Sequence, residues 1–552
     1  MNEAESHGRF ERHAPLAAGL LIAAPSLLAH YLPMTDLPLH EGAVGLLRHY
    51  GDASFVPPDL YRLNLGHPNQ LFYALAWALS FLVGTMWAVK LVVAAGQVAV
   101  FVTGARLADH MGRSRWAALL LAPLALGFTY FWGLTANLLG FAALLGALPV
   151  IDAAAARPTP RRATAACAVL LLAFFAHESV FVAATGFVLL LALAHPFERR
   201  ETLLRFAPAA FGVVVALAHQ IYAAQFFTGV VTVDRMLFPP PWTRIASLPA
   251  VLFGSHDEPV RLALLALGLG AAGLMLRARR AEPPAEAAEP EGGTSARLRA
   301  FALARRYELL ALVFVVLYFV MPFNFRGATM LWQRFLGPAW ALLVLCAAPR
   351  GEPPRLAKVL ATVLPLAVLL VAWPQFADAD RTSRDADAII AEIPKNSAVA
   401  LVVVERPVAG ARVYSASVTP ARMVADRGGR FGLSLAMSPF APVQLRPEYR
   451  WDDYERRLVL GQLGSLQPSH DLDRFGWVIA QSPAGDGRAV LIVALKPDAE
   501  LVAEQGEWLL FRSTHPQAPL ASAEGPPDPQ AQTLRDRMAR LEALRARSAA
   551  PR

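Results

Sequence analysis

Apolar runs alternate with short polar breaks along the first 375 residues of this chain, the pattern of a protein that crosses a membrane many times. Stretches such as Pro15–Leu32, Met86–Val102 and Val359–Val371 approach or reach the roughly 20 apolar residues that a hydrocarbon core requires. The breaks carry clustered basic residues: Arg9/Arg12, Arg106/Arg113/Arg115, Arg157/Arg161/Arg162, Arg199/Arg200/Arg205, Arg277–Arg280 and Arg350/Arg355/Lys358. Basic residues in short loops stay on the cytoplasmic side, and one arrangement puts every one of these clusters there. It predicts about eleven spans, over 15–33, 86–105, 116–128, 131–151, 164–177, 179–196, 205–224, 259–277, 306–322, 332–348 and 357–374. The amino terminus is then inside and the carboxyl terminus outside. The arrangement requires that Asn69–Val83, although apolar, does not cross. Leu39–Val83 therefore reads as one long outer loop whose helices lie in the interface, rich in Leu, Tyr and Trp.

Three further regions follow from the pattern. Ala281–Ser295 is rich in Pro, Ala, Glu and Gly and reads as a disordered cytoplasmic linker, bounded at 281–305 within a transmembrane domain of residues 1–375. After Trp373-Pro374 the composition turns to mixed charged and apolar residues, predicting a small soluble α/β domain over 376–515 on the outer side. Within it Arg381–Ile393 and Trp451–Leu463 read as helices, and Ala398–Val404, Phe475–Ala480, Ala489–Ala494 and Glu507–Phe511 as strands. A polar tail, 516–552, carries a basic helix near Gln530–Arg547. The fold class is thus an α-helical polytopic membrane protein with a C-terminal extracytoplasmic α/β domain. Pro15–Leu32 is followed by Tyr31-Leu32-Pro33 rather than an Ala-x-Ala cleavage pattern, so it reads as a signal anchor.

Composition sharpens this reading. The chain is 55% hydrophobic with a mean hydropathy of +0.39, more than a soluble core of this size needs. A net charge of +8 suggests nucleic acid at first sight, but the basic residues are short clusters between apolar runs, where they set orientation; no nucleic-acid partner is expected. Cys167 and Cys346 both sit in apolar runs and read as packing residues, without a disulfide framework.

The candidate chemistry gathers at the outer surface. Thr35-Asp36-Leu37-Pro38-Leu39-His40-Glu41 follows the first span directly. An aspartate two residues before a proline is a common helix cap, and that is one reading of Asp36. The other rests on spacing: Asp36 and His40 are four apart and share a helical face, with Glu41 beside them, and three ionisable groups exceed what a cap requires. On this reading Asp36, His40 and Glu41 are catalytic, a carboxylate there accepting a proton or, as Asp36 with Glu41, holding a divalent cation such as Mg2+ or Mn2+. His177-Glu178 lies between apolar runs on the same outer side, either a hairpin tip or part of a site. Arg326 and Arg334 bracket an aromatic-rich outer loop, against the inside bias of arginine, and suggest an anion site for phosphate or pyrophosphate. Lys90, near the outer end of its span, reads as a snorkelling residue or a further phosphate contact. Asn69, Asn137, His219 and Gln220 lie near the same face and read as helix-packing hydrogen bonders.

These residues resemble the GT-C superfamily of membrane glycosyltransferases that use polyprenyl-phosphate sugar donors, including the protein mannosyltransferase and lipid A aminoarabinose transferase branches. The resemblance covers roughly the first 375 residues. It is carried by Asp36 after the first span, by His67-Pro68-Asn69-Gln70-Leu71-Phe72-Tyr73 opening an interfacial helix, by Gly84–Lys90 leading into the next span, by Arg106–Arg115, and by Arg334-Phe335-Leu336-Gly337-Pro338. Many members carry Asp-Glu in the first loop, whereas this chain has Asp36-Leu37 with Glu41 displaced.

The resemblance implies glycosyl transfer, with inversion, from a polyprenyl-phosphate sugar to a glycan, lipid or protein acceptor at the outer face of a bacterial cytoplasmic membrane. Asp36 is then base or metal ligand, Arg326 and Arg334 with Lys90 neutralise the lipid-phosphate leaving group, and His177 and Glu178 orient acceptor or metal. Two other classes fit the same topology: a transporter or flippase using His177-Glu178 as a proton relay, and a non-catalytic envelope assembly protein. The absence of an internal repeat weighs against the first.

Overall fold

The computed structural model describes residues 3–57, 59–224, 236–283, 293–325, 329–403, 413–438, 440–446, 466, 471–482 and 486–517. Helices occupy nearly every predicted span: α1 (Glu3–Leu28), α4 (Thr85–His110), then Thr135–Ala156, Pro160–Ala176, Glu178–Ala194, Arg199–Ala224, Glu258–Arg280, Arg306–Val320, Leu336–Ala347 and Arg355–Ala391. Among the described residues, five helices are long and apolar enough by themselves to cross a membrane. Their apolar faces merge into one continuous core.

The span expected over 116–128 takes a different form. It is a seven-residue 3-10 helix, Arg115–Leu121, followed by two short α-helices, Ala122–Ala125 and Phe128–Phe131. Pro123 and Gly127 prevent a continuous helix, and a chain that leaves its backbone groups unpaired at membrane depth must be enclosed by protein. That condition is met, since every residue from Trp116 to Phe131 is buried. The Gln97 amide of α4 donates to the Ala125 carbonyl at 3.0 Å, and its oxygen accepts from Ser26 of α1 at 2.9 Å.

Two more helices, α2 (Leu37–Arg48) and α3 (Leu71–Val83), fall in the outer loop, where interfacial helices are expected. In α3 Phe72, Tyr73, Ala76 and Ser80 form a buried stripe, while Leu75, Trp77, Phe81 and Leu82 are exposed, the division of a helix lying on a lipid surface. The environment of α2 is different. Gly42 faces the Ala421 carbonyl, and a Cβ on Gly45 would stand 2.5 Å from the Ala425 Cα, so α2 is pressed against the C-terminal region. Its Leu39 and Leu46 enter a second core with Phe55, Ile389, Val424 and Trp508.

The 37-residue helix Arg355–Ala391, about 55 Å long, runs without interruption past residue 375 and carries the C-terminal domain, expected on the outer side. Strands there are β2 (Ala398–Val403), β3 (Arg430–Phe431), β5 (Trp477–Gln481), β6 (Ala499–Gln505) and β7 (Trp508–Ser513), in sheet order β3-β2-β5-β7-β6. The β2 strand pairs in parallel with β3 and β5, and β7 is antiparallel to β5 and β6. A separate two-stranded ribbon joins β1 (Tyr61–Leu63) of the first outer loop to β4 (Val443–Leu445). Trp508 is fully buried and donates from its indole to the Thr382 carbonyl at 3.0 Å, fixing sheet to helix.

Some expected elements differ. Ala489–Ala494 is not a strand but part of a helix, Asp486–Leu495; a short continuous apolar run has no periodicity to separate the two. The strand β6, at the sheet edge with Glu500 and Glu504 on it, lacks the apolar alternation that marks a strand. Thr294–Ala304, inside the expected linker, is helical. Trp451–Leu463 and the helix expected near Gln530–Arg547 lie outside the described residues.

The tight approach at Gly45 yields a test. G45V should lower stability by about 1–3 kcal/mol, the usual effect of overpacking a close contact, read as a lower Tm of the detergent-solubilised protein. An unchanged Tm would mean that α2 is not clamped by the outer domain.

Candidate active site

Asp36 stands where the first outer loop meets the irregular 115–131 segment. The Thr35 and Asp36 amides donate to the Phe131 and Trp132 carbonyls at 2.8 and 3.1 Å. Gly133 follows with φ +76°, and a Cβ there would lie 2.6 Å from the Asp36 nitrogen, so only glycine leaves room for this approach. Asp36 occupies the N-cap position of α2, and its backbone carbonyl accepts from the Leu39 and His40 amides. Its carboxylate makes no capping hydrogen bond. The polar side chain is therefore not used for the local purpose that its position suggests.

His40 supports this turn from below. Its Nε2 lies 3.1 Å from the Gly133 carbonyl, which can only accept, so Nε2 carries the proton and Nδ1 accepts from the Tyr73 hydroxyl at 2.7 Å. Burial lowers the imidazole pKa to about 4, which keeps the ring neutral. His40 is thereby a positioning group for the Asp36 turn.

Arg334 links Asp36 to His177 and Glu178, touching the first of these two and within electrostatic reach of the second. His177 ends one apolar helix and caps the next; its Nδ1 accepts from the Ser179 amide at 3.2 Å, and its ring is wedged against Gly140. The Glu178 amide donates to Asn69 Oδ1 at 3.1 Å, tying this corner to the start of α3 across 109 residues of sequence. Arg334 lies in the short 3-10 turn Trp332–Phe335. Its Nη2 donates to the Thr329 carbonyl at 3.1 Å, its Nη1 is 3.4 Å from His177 Nε2, and its Nε has no partner among the described residues. The guanidinium is within electrostatic reach of the Asp36 and Glu178 carboxylates. Burial raises the Asp36 carboxyl to about 6, and the charge of Arg334 opposes that rise.

The other candidates stand elsewhere. Glu41, 6% exposed, turns away from Asp36 toward Arg422 and Asp426 of the outer domain, and burial pushes it up to about 7. Lys90 donates to the Ala29 carbonyl at 2.5 Å and the Leu27 carbonyl at 3.4 Å and lies over the Trp87 ring, closing the end of α1. Arg326 lies outside the described residues. Asp36 and Glu41 thus face different partners, and among the described residues no group of three or more His, Cys, Asp or Glu side chains is arranged around a metal position. His219 Nε2 lies 3.1 Å from His67 Nδ1, and His67 Nε2 lies 2.8 Å from Asn64 Oδ1, in a neighbouring polar knot. Tyr73 closes the His67–Tyr73 motif, though the sequence suggested no role for its hydroxyl, and nothing local marks Gly133.

The fold has known counterparts. ArnT from Cupriavidus metallidurans in the apo state superposes with a TM-score of 0.54 at 13% identity, covering 95% of this chain and 100% of that one. The same protein bound to undecaprenyl phosphate gives 0.50 at 13%, covering 93% and 98%. Neither a protein-family model nor a curated protein matches the sequence. The chain therefore shares the polytopic membrane fold of ArnT over nearly its whole length.

Since Asp36 caps nothing, D36N should leave the protein as stable as the wild type, with a change within about 0.5 kcal/mol, where loss of a true capping carboxylate bond typically costs about 1 kcal/mol. Matched Tm values check this; a clear fall in D36N would restore a structural role.

Proposed function

We propose that this chain is a membrane glycosyltransferase that moves a sugar from a polyprenyl-phosphate donor to an envelope acceptor at the extracytoplasmic face. The observation that carries the proposal is an Asp36 carboxylate free of any capping bond, within electrostatic reach of an Arg334 guanidinium whose Nε is unpartnered among the described residues. The ArnT fold supports the reaction class, and the undecaprenyl phosphate bound by that protein supports the donor class.

In the proposed step a hydroxyl of the acceptor attacks the anomeric carbon while Asp36 takes its proton. The bond from that carbon to the phosphate oxygen breaks, and the polyprenyl phosphate leaves with one more negative charge. Arg334 stabilises that developing charge, as a preorganised cation in a poorly solvated site does. A single displacement inverts the anomeric centre. Glu178 and His177 orient the acceptor. If the transfer uses Mg2+ or Mn2+, Asp36 would be its carboxylate ligand at this site, and the ion would add positive charge at the leaving phosphate.

A base must be ionised, so below about pH 6 Asp36 is protonated and inactive, and transfer should rise with pH through that value. D36N should reduce turnover about a hundredfold or more and abolish this limb, with membrane insertion intact. Assay of the purified protein with a polyprenyl-phosphate sugar and matched acceptors checks both; full activity in D36N would make Asp36 structural.

R334A should weaken donor use about tenfold or more, the effect of one lost charge-assisted contact to phosphate, whereas R350A on the opposite side should not. Equal losses from the two changes would mean that both act through general membrane anchoring.

A further inference from the structure

Between the end of α1, the α3–α4 turn at Gly84 and the outer domain lie two adjoining cavities that the transfer chemistry leaves unused. The outer one, about 560 Å³, has Arg48, Asp52, Lys395, Met86 and Trp87 in its wall. The inner one, about 50 Å³, is enclosed by Tyr31, Glu41, Asp387, Arg422 and Asp426. Thr85, Met86, Ala425 and Asp426 line both, so one opens toward the other. The outer volume is that of a small-molecule site, and the inner one admits a single small polar group, a water's share of liquid being about 30 Å³.

Charge is divided between them. Inside, Glu41, Asp387 and Asp426 meet one cation, Arg422, whose bond to Asp387 is 3.2 Å. Glu41 is 94% removed from solvent, lines the cavity, and makes no hydrogen bond or ion pair among the described residues. Lys90 acts on it only from a distance, its ammonium being held by the α1 carbonyls. Burial raises the pKa of all three acids, the mark of carboxylates short of positive charge. The rim carries the opposite sign: Arg48 and Lys395 stand there, and Asp52 is occupied by Ser54. Beyond the rim, Phe81, Leu82 and Trp87 are exposed, as on a lipid-facing surface.

We propose that these cavities hold the headgroup of an amine-bearing phospholipid of the phosphatidylethanolamine class, its ammonium on Glu41 and Asp426, its phosphate between Arg48 and Lys395, and its acyl chains leaving past Phe81 and Trp87. A primary ammonium offers three donors and fits the inner volume. A trimethylammonium has no donor and is too large for it, and a glycerol headgroup brings no charge to the acids. Neither Asp36 nor Arg334 takes part, so the proposal stands independently of the transfer reaction.

Native mass spectrometry of the full-length detergent-purified protein, titrated with phosphatidylethanolamine, phosphatidylglycerol or phosphatidylcholine of matched chains, tests it. The wild type should retain the ethanolamine lipid about tenfold better than the other two, the effect of one charge-assisted hydrogen bond. E41Q should bring the three lipids together, and K395A should weaken retention of the ethanolamine lipid. D426N provides a second floor variant should E41Q disturb α2, with Tm as the check on folding. Equal retention of all three lipids by the wild type, or a preference that survives in both floor variants, would overturn the proposal. So would displacement of the ethanolamine lipid by undecaprenyl phosphate, which would make the groove part of the donor path and leave the transfer reading intact.

Discussion

The candidate site depends on two backbone hydrogen bonds, those of Thr35 and Asp36 to the carbonyls of Phe131 and Trp132. They join the first outer loop to the end of a segment that is not a regular helix. At its other end Ser114 donates to Glu11 at 2.7 Å and Arg115 reaches the Arg12 carbonyl, so the segment runs alongside α1 from one end to the other. The short helix Phe128–Phe131 ends at these residues, and its terminal carbonyls, without an intrahelical partner, are free for the Thr35 and Asp36 amides. Its burial on all sides is what makes such a backbone tolerable at this depth.

The outer domain holds the same loop from the opposite side. Asp380, on the helix Arg355–Ala391, accepts from the His30 and Tyr31 amides at 3.0 and 3.1 Å. Thr35 Oγ1 accepts from the Ser415 amide at 2.9 Å, and the Arg422 guanidinium lies 4.0 Å over the Tyr31 ring. With α2 pressed against Ala421 and Ala425, the Asp36 turn sits between two bodies that each restrict it. The outer domain is thus part of what positions the carboxylate. A polar group held by surrounding structure needs no capping bond of its own to keep its place, as at Asp36.

Hydropathy made the spans legible, because about 20 apolar residues have few alternatives at that length. It could not foresee the broken 115–131 segment, since an apolar run looks the same whether helical or enclosed and irregular. Asp36, His177, Glu178 and Arg334 were legible as ionisable groups in apolar surroundings, and the structure gathers the first three around Arg334. Glu41 and Lys90 carry the same sequence signal yet serve other contacts, because side-chain direction on α2 and α4 is decided by packing between elements. Asp36 and Glu41, five residues apart, lie on different sides of their helix once the outer domain covers one of them. Gly133 was illegible because its importance is an approach made by residues 97 positions away in sequence.

Under the proposed reaction the arrangement also has an electrostatic logic. Before transfer, Arg334 faces two carboxylates, Asp36 and Glu178, and the donor phosphodiester carries one negative charge. During transfer Asp36 gains a proton as the departing phosphate gains a charge, so the total charge around Arg334 does not change. Creating a charge in a poorly solvated site is expensive, whereas moving one past a fixed cation is far less so. A carboxyl held near pH 6 is suited to this exchange: it is ionised at neutral pH, yet close enough to protonation to take a proton when its own charge is no longer needed. The Nε of Arg334, unpartnered among the described residues, then has a role, as a donor that can meet the phosphate without giving up a bond it already makes.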